Sequence, residues 1–426
     1  GWLASRTATI ALFWGLLALW SHMRWREEGR SEWLALSVSG LVLSLLSKEE
    51  GISTCAYLAA YAVFLDPGRL TRRILSLLPY AGVALIWRLL YQGLGYGVTG
   101  SASCCDPVSA PGQFALLALC RAPVLFLGQW GLPPSDLHLA LPEGGQWLLW
   151  FAGVLLFVVL AVVFVPMART DARIRFWSVG LGLSLLAACA SLPSDRLLLW
   201  PGIGACGLLG QYLHARAERR EIWSRAEAAR ILAPPLTFLL ISVHVVLAPL
   251  LLPMRILAFA TLGDIIEESV VAAPLPSDVE NRTVIFANAP NVYFTSYFPI
   301  IRHVLALPVP ARVRTLSANA PLPQPHDIAR INEKTLRVTP RGGFAWYLMR
   351  DNAHPFSPGD TIDLGDIQVE ITAVTRQGRP KEVEYHFETS VDDPRYVWLV
   401  YKANQGQFAP FLPPPLGQVF TTDPYL

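Results

Sequence analysis

An apolar run from Trp33 to Phe64 is broken once, at Ser47-Lys48-Glu49-Glu50. Charge within a stretch of membrane grade is costly, so this break limits the folds open to the chain. A bilayer core takes roughly 20 apolar residues. The whole run is far too long for one crossing, and each half falls a little short of one. Two arrangements compete: one long helix with buried charges, or two short helices meeting at a turn, which Gly51 suits. The flanks decide between them. Arg24, Arg26 and Arg30 precede the run, and Arg69, Arg72 and Arg73 follow it. The positive-inside rule puts both clusters in the cytoplasm. That requires two crossings and leaves Lys48 and Glu49 at the outer face.

The same rule orders the rest of the chain. Apolar residues make up 53% and charged residues 15% of it, a balance beyond that of soluble domains. The apolar residues fall in blocks, which predicts a polytopic helical membrane protein. With 34 basic and 32 acidic residues, the charge gives no case for nucleic acid. Spans are expected over 3–23, 33–46, 52–64, 74–90, 147–166, 176–190, 197–213 and 231–252, eight in all. Phe114–Leu127 is short and carries Arg121 and Pro123, so it reads as an interfacial or re-entrant outer helix. From about Asp264 the composition becomes that of a soluble domain. Strands are expected at Thr283–Ala287, Thr361–Leu364, Ile367–Val374 and Val383–Glu388, and a short helix at Tyr293–Leu307. The expected organisation is a transmembrane domain over 1–256 and a small, mainly β extracytoplasmic domain over 264–426. The first residue is Gly1 and a span begins at once, so the start of the natural chain is expected to lie upstream.

The six cysteines lack metal-ligand spacing. Cys104 or Cys105, in an outer loop, could pair with Cys120; adjacent cysteines rarely pair with each other. His244, alone in the last span, reads as a packed histidine. Asp106 and Asp136 read as solvated loop acids, and Asp392-Asp393 is too small an acidic set for calcium.

This topology puts Arg6, Lys48, Glu49, Asp195 and Arg196 at one membrane depth. Ionisable residues at helix ends facing a bundle interior mark substrate paths. A guanidinium matches phosphate oxygens bidentately, so Arg6, Lys48 and Arg196 are candidates to hold a lipid phosphate. Glu49 and Asp195 are candidates to position those cations or to act as a base. Taken singly, each reads first as an interfacial anchor or a structural ion pair.

Three stretches resemble a family. Trp2-Leu-Ala-Ser-Arg6-Thr7 resembles the W-x-x-G-R-T/S-D start of a span in membrane glycosyltransferases of the GT-C class. These include the transmembrane O-mannosyltransferases with tetratricopeptide repeats and their bacterial relatives. Leu45-Leu-Ser-Lys48-Glu49-Glu50-Gly51-Ile52 is similar to their L-L-x-K-E-x-x-I stretch. Asp195-Arg196-Leu-Leu-Leu-Trp200-Pro201-Gly-Ile-Gly204 is similar to E-R-Y-x-Y-x-P-S-x-G. Order and membrane side agree over roughly the first half of the chain.

The resemblance implies an inverting glycosyltransferase of a bacterial inner membrane with a periplasmic C-terminal domain. Its donor would be a polyprenyl-phosphate-linked sugar, and its acceptor an unknown glycan, lipid or protein at the outer face. Membrane lipid is the implied surrounding. No cofactor is specified; a divalent metal is compatible, with no metal ligands assigned. The family's catalytic acid lies in an outer loop upstream of the segment matching Gly1, and so outside this sequence. The family's acid after Arg-Thr is Ala8 here, its Gly before Arg is Ser5, its Glu-Arg is Asp195-Arg196 and its Pro-Ser is Pro201-Gly202. The outer domain is not tetratricopeptide-like. The alternative is a non-catalytic membrane scaffold that presents an outer β domain. A transporter ranks last, because no internal repeat is visible.

Overall fold

The computed structural model describes residues 3–97, 100–218, 221–223, 226–318, 324–344, 349–351 and 353–422; Trp2 of the first motif lies outside them. The chain divides into two compact units. One comprises residues 1–99 and 104–249, and the other 100–103 and 250–426.

The first unit is helical: α1 (Leu3–Glu28), α2 (Ser31–Ser47), α3 (Ser53–Phe64), α4 (Leu70–Leu75), α5 (Leu78–Gly93), α6 (Pro111–Trp130), α7 (Glu143–Thr170), α8 (Ala172–Ala188), α9 (Leu199–Ala217) and α10 (Glu227–Ile241). Among the described residues, four stretches are long and apolar enough to cross a membrane: Leu70–Gly93, Pro111–Trp130, Gly144–Thr170 and Glu227–Val271. Helices α2 and α3, of 17 and 12 residues, are shorter than a bilayer core requires.

Named contacts set the helix directions. Ser37 Oγ donates to Ala18 O and Ser44 Oγ to Ala11 O, so α1 and α2 are antiparallel. A Cβ on Gly180 would strike the Tyr57 ring, and Arg175 lies over the Phe64 ring; α3 and α8 are antiparallel. Gly204 faces Leu181 and Gly207 faces Trp177, so α9 runs back along α8. Tyr80, near the start of α5, bonds to His22 and Ser37, while Tyr91 near its end reaches Glu49. These relations put the start of α1, the ends of α2, α5 and α8, and the starts of α3 and α9 at one end of the bundle. The Arg-rich segments around Arg26, Arg72, Arg173 and Arg216 fall at the opposite end. There Arg26 Nε pairs with the buried Asp66 at 2.6 Å.

The helix expected over 114–127 forms and is longer than expected. Helix α6 runs for 20 residues through Arg121 and Pro123. A proline inside a helix leaves the carbonyl four residues earlier without its donor. Here that carbonyl is Leu119 O, and the indole of Trp150 on α7 supplies a hydrogen bond to it at 2.9 Å. Gly153 on α7 lies against the Pro123 carbonyl, where a Cβ would clash. Arg121 is buried and donates to Cys189 O at 3.0 Å, so its charge meets the C-terminal end of α8. Neither Cys104 nor Cys105 pairs with Cys120: all six cysteines are free.

A second difference concerns Asp264. The helix does not stop where the composition changes. It passes from α10 through a π-helical turn, Ser242–Leu247, into α11 (Ala248–Val271). Ile266 and Val270, four residues apart on one face, are buried against Phe286, Phe298 and Phe408. Helical period, not mean polarity, keeps this segment folded.

The second unit holds ten strands among its described residues: β1 (Thr283–Phe286), β2 (Arg312–Thr315), β3 (His326–Asn332), β4 (Thr335–Pro340), β5 (Thr361–Asp363), β6 (Ile367–Val374), β7 (Pro380–Phe387), β8 (Tyr396–Lys402), β9 (Gln407–Pro410) and β10 (Val419–Thr421). Helices α12 (Val292–Ser296) and α13 (Phe298–Val304) connect β1 to β2. One sheet has the order β2-β1-β8-β9, with β1 parallel to both neighbours. The other is antiparallel, in the order β10-β3-β4-β7-β6-β5. All four residues of β1 are buried, as a central parallel strand covered on both faces requires. Arg314 on β2 pairs with Asp366, just before β6, at 2.5 Å and ties the two sheets together.

Candidate functional site

The break in the apolar run folds as two helices and a turn. Lys48 ends α2 in an extended conformation, a 3-10 turn spans Glu49–Ile52, and α3 follows. Gly51 serves close approach: a Cβ there would lie 2.6 Å from Ser44 Oγ. Lys48 Nζ bonds Glu50 Oε1 at 2.7 Å. The carboxylate that positions Lys48 is thus Glu50, not Glu49. Glu49 is exposed and accepts from the Tyr91 hydroxyl at 3.4 Å.

Asp195 also differs from its expected role. Its Oδ1 accepts from Ser135 N at 2.8 Å and from Ser135 Oγ at 2.6 Å. Asp136 replies in kind, taking Ser194 Oγ at 2.6 Å and Asp195 N at 3.1 Å. The two acids clamp the loop after α6 to the turn before α9. Arg196, beside them, is exposed and has no hydrogen bond or ion pair with any described residue; the same holds for Arg6.

Arg6, Lys48, Glu49, Asp195 and Arg196 therefore share one end of the bundle. Three further residues at this end escaped the sequence analysis or were set aside by it. Arg88 on α5 pairs with Asp106, and Tyr91, one turn later, faces Glu49. Burial raises the Asp106 carboxyl, but the Val108 amide and Arg88 outweigh it and hold it below the usual carboxylate range. A lone Arg inside an apolar helix was the available signal for Arg88. His244 is packed as expected, its ring edge-on to Trp130 at 6.3 Å.

Among the described residues this end thus offers the exposed guanidiniums of Arg6 and Arg196, the Lys48 ammonium paired with Glu50, and the exposed Glu49 carboxylate, which is not tied into the Ser135–Asp195 clamp. Such a set can bind an anionic group and receive a proton from a hydroxyl. No protein-family model, curated protein or solved structure matches the chain.

Proposed function

We propose that this chain is a membrane glycosyltransferase that uses a polyprenyl-phosphate-linked sugar. The observation that carries the reading is the sharing of one bundle end by Arg6, Lys48 and Arg196, opposite the Arg-rich segments. The three come from three separate stretches, and those stretches are the ones that resemble the GT-C class. On this reading the chain crosses the membrane eight times, the Arg-rich end is cytoplasmic, and the β unit lies outside, in the periplasm of a bacterium.

Arg6 and Arg196 would take the donor phosphate bidentately and Lys48 would add a point charge. The bond between the sugar's anomeric carbon and the phosphate oxygen breaks, and polyprenyl phosphate leaves with the electron pair. The acceptor hydroxyl oxygen bonds to that carbon from the opposite face and gives its proton to a carboxylate. Cations fixed where the leaving charge develops stabilise the transition state. Glu49 is the better placed of the two candidate acids, because Asp195 is committed to Ser135.

The test is transfer from a radiolabelled polyprenyl-phosphate sugar pool in membranes holding the protein or its Lys48→Ala, Arg196→Ala and Arg30→Ala variants. Transfer should collapse in the first two and persist in the third, whose side chain lies at the other end. Normal expression with no transfer from any donor would favour the scaffold reading.

A further inference from the structure

We propose that the six-stranded sheet carries a binding site for one divalent transition-metal ion, with Glu370, Glu384 and His386 as its ligands. The inference concerns the β unit alone and is independent of the glycosyltransferase reading.

Register brings the three together. Glu370 on β6 and Glu384 on β7 are directly opposed, and His386 lies two residues along β7 on the same face. His386 Nε2 is 3.1 Å from Glu370 Oε2 and 3.8 Å from Glu384 Oε2, and one ligand atom from each residue lies within 4.8 Å of the others. Ligands of a tetrahedral zinc, at roughly 2.1 Å from the metal, stand about 3.4 Å apart. The triad needs only small side-chain shifts to close on an ion.

Its surroundings suit a metal as well. The other ring nitrogen, Nδ1, is 3.0 Å from Thr335 Oγ1 on β4. A metal-bound histidine holds its second nitrogen on such a partner, which fixes the ring and the tautomer. Glu384 divides its oxygens: Oε1 accepts from Arg337 Nη2 at 2.6 Å and Nε at 2.9 Å, while Oε2 faces the imidazole. Opposed carboxylates repel across a ladder. Arg337 offsets one charge, and a dication would offset the remainder. One imidazole and two carboxylates, without thiolate, select zinc or manganese over soft ions, and over calcium, which prefers all-oxygen sets. Glu370 and His386 are partly open to solvent, which leaves room for water on the remaining positions.

The test uses the full chain in detergent, purified on a tag without histidine. Zn2+ is titrated by calorimetry, and Co2+ is used as an absorbing substitute. One equivalent should bind the parent protein. His386→Ala and Glu384→Gln should abolish that equivalent, and Thr335→Val should weaken it roughly tenfold. Circular dichroism checks the fold of each variant. Should either ligand variant fail to fold, Glu370→Gln at the more open strand carries the same expectation. No binding to the parent protein overturns the proposal, as does binding that survives all the ligand substitutions, which would trace to the cysteines or other histidines.

Discussion

The Tyr57 hydroxyl donates to Trp200 O at 2.8 Å and accepts from Gly204 N at 2.9 Å. A regular α-helix pairs those two backbone groups with each other. A side chain of α3 thus enters the hydrogen-bond ladder of α9 one turn beyond Arg196, and fixes the register of the two helices that leave the charged turns.

Tyr57→Phe keeps the ring and removes both bonds. Trp200 O and Gly204 N must then pair directly or remain unmet, at a cost of about 1–3 kcal/mol. The melting temperature in detergent should fall. An unchanged melting temperature would mean that α9 closes its own ladder without loss.

Lys48→Ala removes more than a phosphate ligand. It leaves Glu50 as an uncompensated, largely buried carboxylate, one oxygen of which has no hydrogen bond. The single variant should lose roughly 2 kcal/mol of stability, and Lys48→Ala/Glu50→Ala should recover most of it. Transfer activity that stays absent in the stable double variant would assign Lys48 a role in binding rather than in folding.

The Arg26–Asp66 pair joins the end of α1 to the loop after α3. Burial raises the Asp66 carboxyl, but Arg26 and the Gly68 amide outweigh it, and its pKa lies below the usual carboxylate range. Its contribution is complete above the unfolded carboxylate value, near pH 4, and is lost as pH falls through the lower folded value. Asp66→Asn should cost about 3 kcal/mol at neutral pH by stranding Arg26, and should flatten the acid limb of a pH–stability curve. A limb of unchanged slope would sink this assignment.

His326 titrates with the same sign in a higher pH window. Its ring is fully buried in the β unit with no hydrogen-bond partner on either nitrogen among the described residues. Burial lowers its pKa from 6.5 to about 4, against a smaller upward pull from Asp327. Between those values the unfolded chain takes up a proton that the folded chain refuses, so stability declines as pH falls from 6.5 to 4 and changes no further below. The total is roughly 3 kcal/mol. His326→Leu should remove that slope in denaturant titrations and hold its neutral-pH stability. A slope that persists would place the titrating group elsewhere.

The helical membrane unit and the β-rich unit were legible because hydrophobic blocks and strand alternation are local signals. The two-helix turn at Lys48 followed from chain length and flanking charge, which are equally local. The Lys48 partner was not legible, since Glu49 and Glu50 are adjacent and only backbone geometry selects between them. Nor was the Asp195–Ser135 clamp, whose halves are 60 residues apart in sequence. The full length of the helix through Pro123 was not legible, because its compensating donor, Trp150, lies on another helix. The end of the long helix was misread for another reason: Asp264, Glu267 and Glu268 dominate the composition, while Ile266 and Val270 face inward. The Glu370–Glu384–His386 set arises from strand register, which a single sequence does not print.

The placement of β1 has a consequence for biosynthesis. This four-residue strand is buried on both faces, yet one of its two neighbours, β8, is synthesised more than a hundred residues later. An edge strand of each sheet, β9 and β10, comes later still. Until those residues leave the ribosome, Val284, Ile285 and Phe286 have no complete shelter. Pairing across so long an interval is slow, and exposed apolar strands invite wrong association. The β unit therefore cannot complete either sheet until these last strands are available, and an unfinished sheet must be kept apart from other chains in the interim.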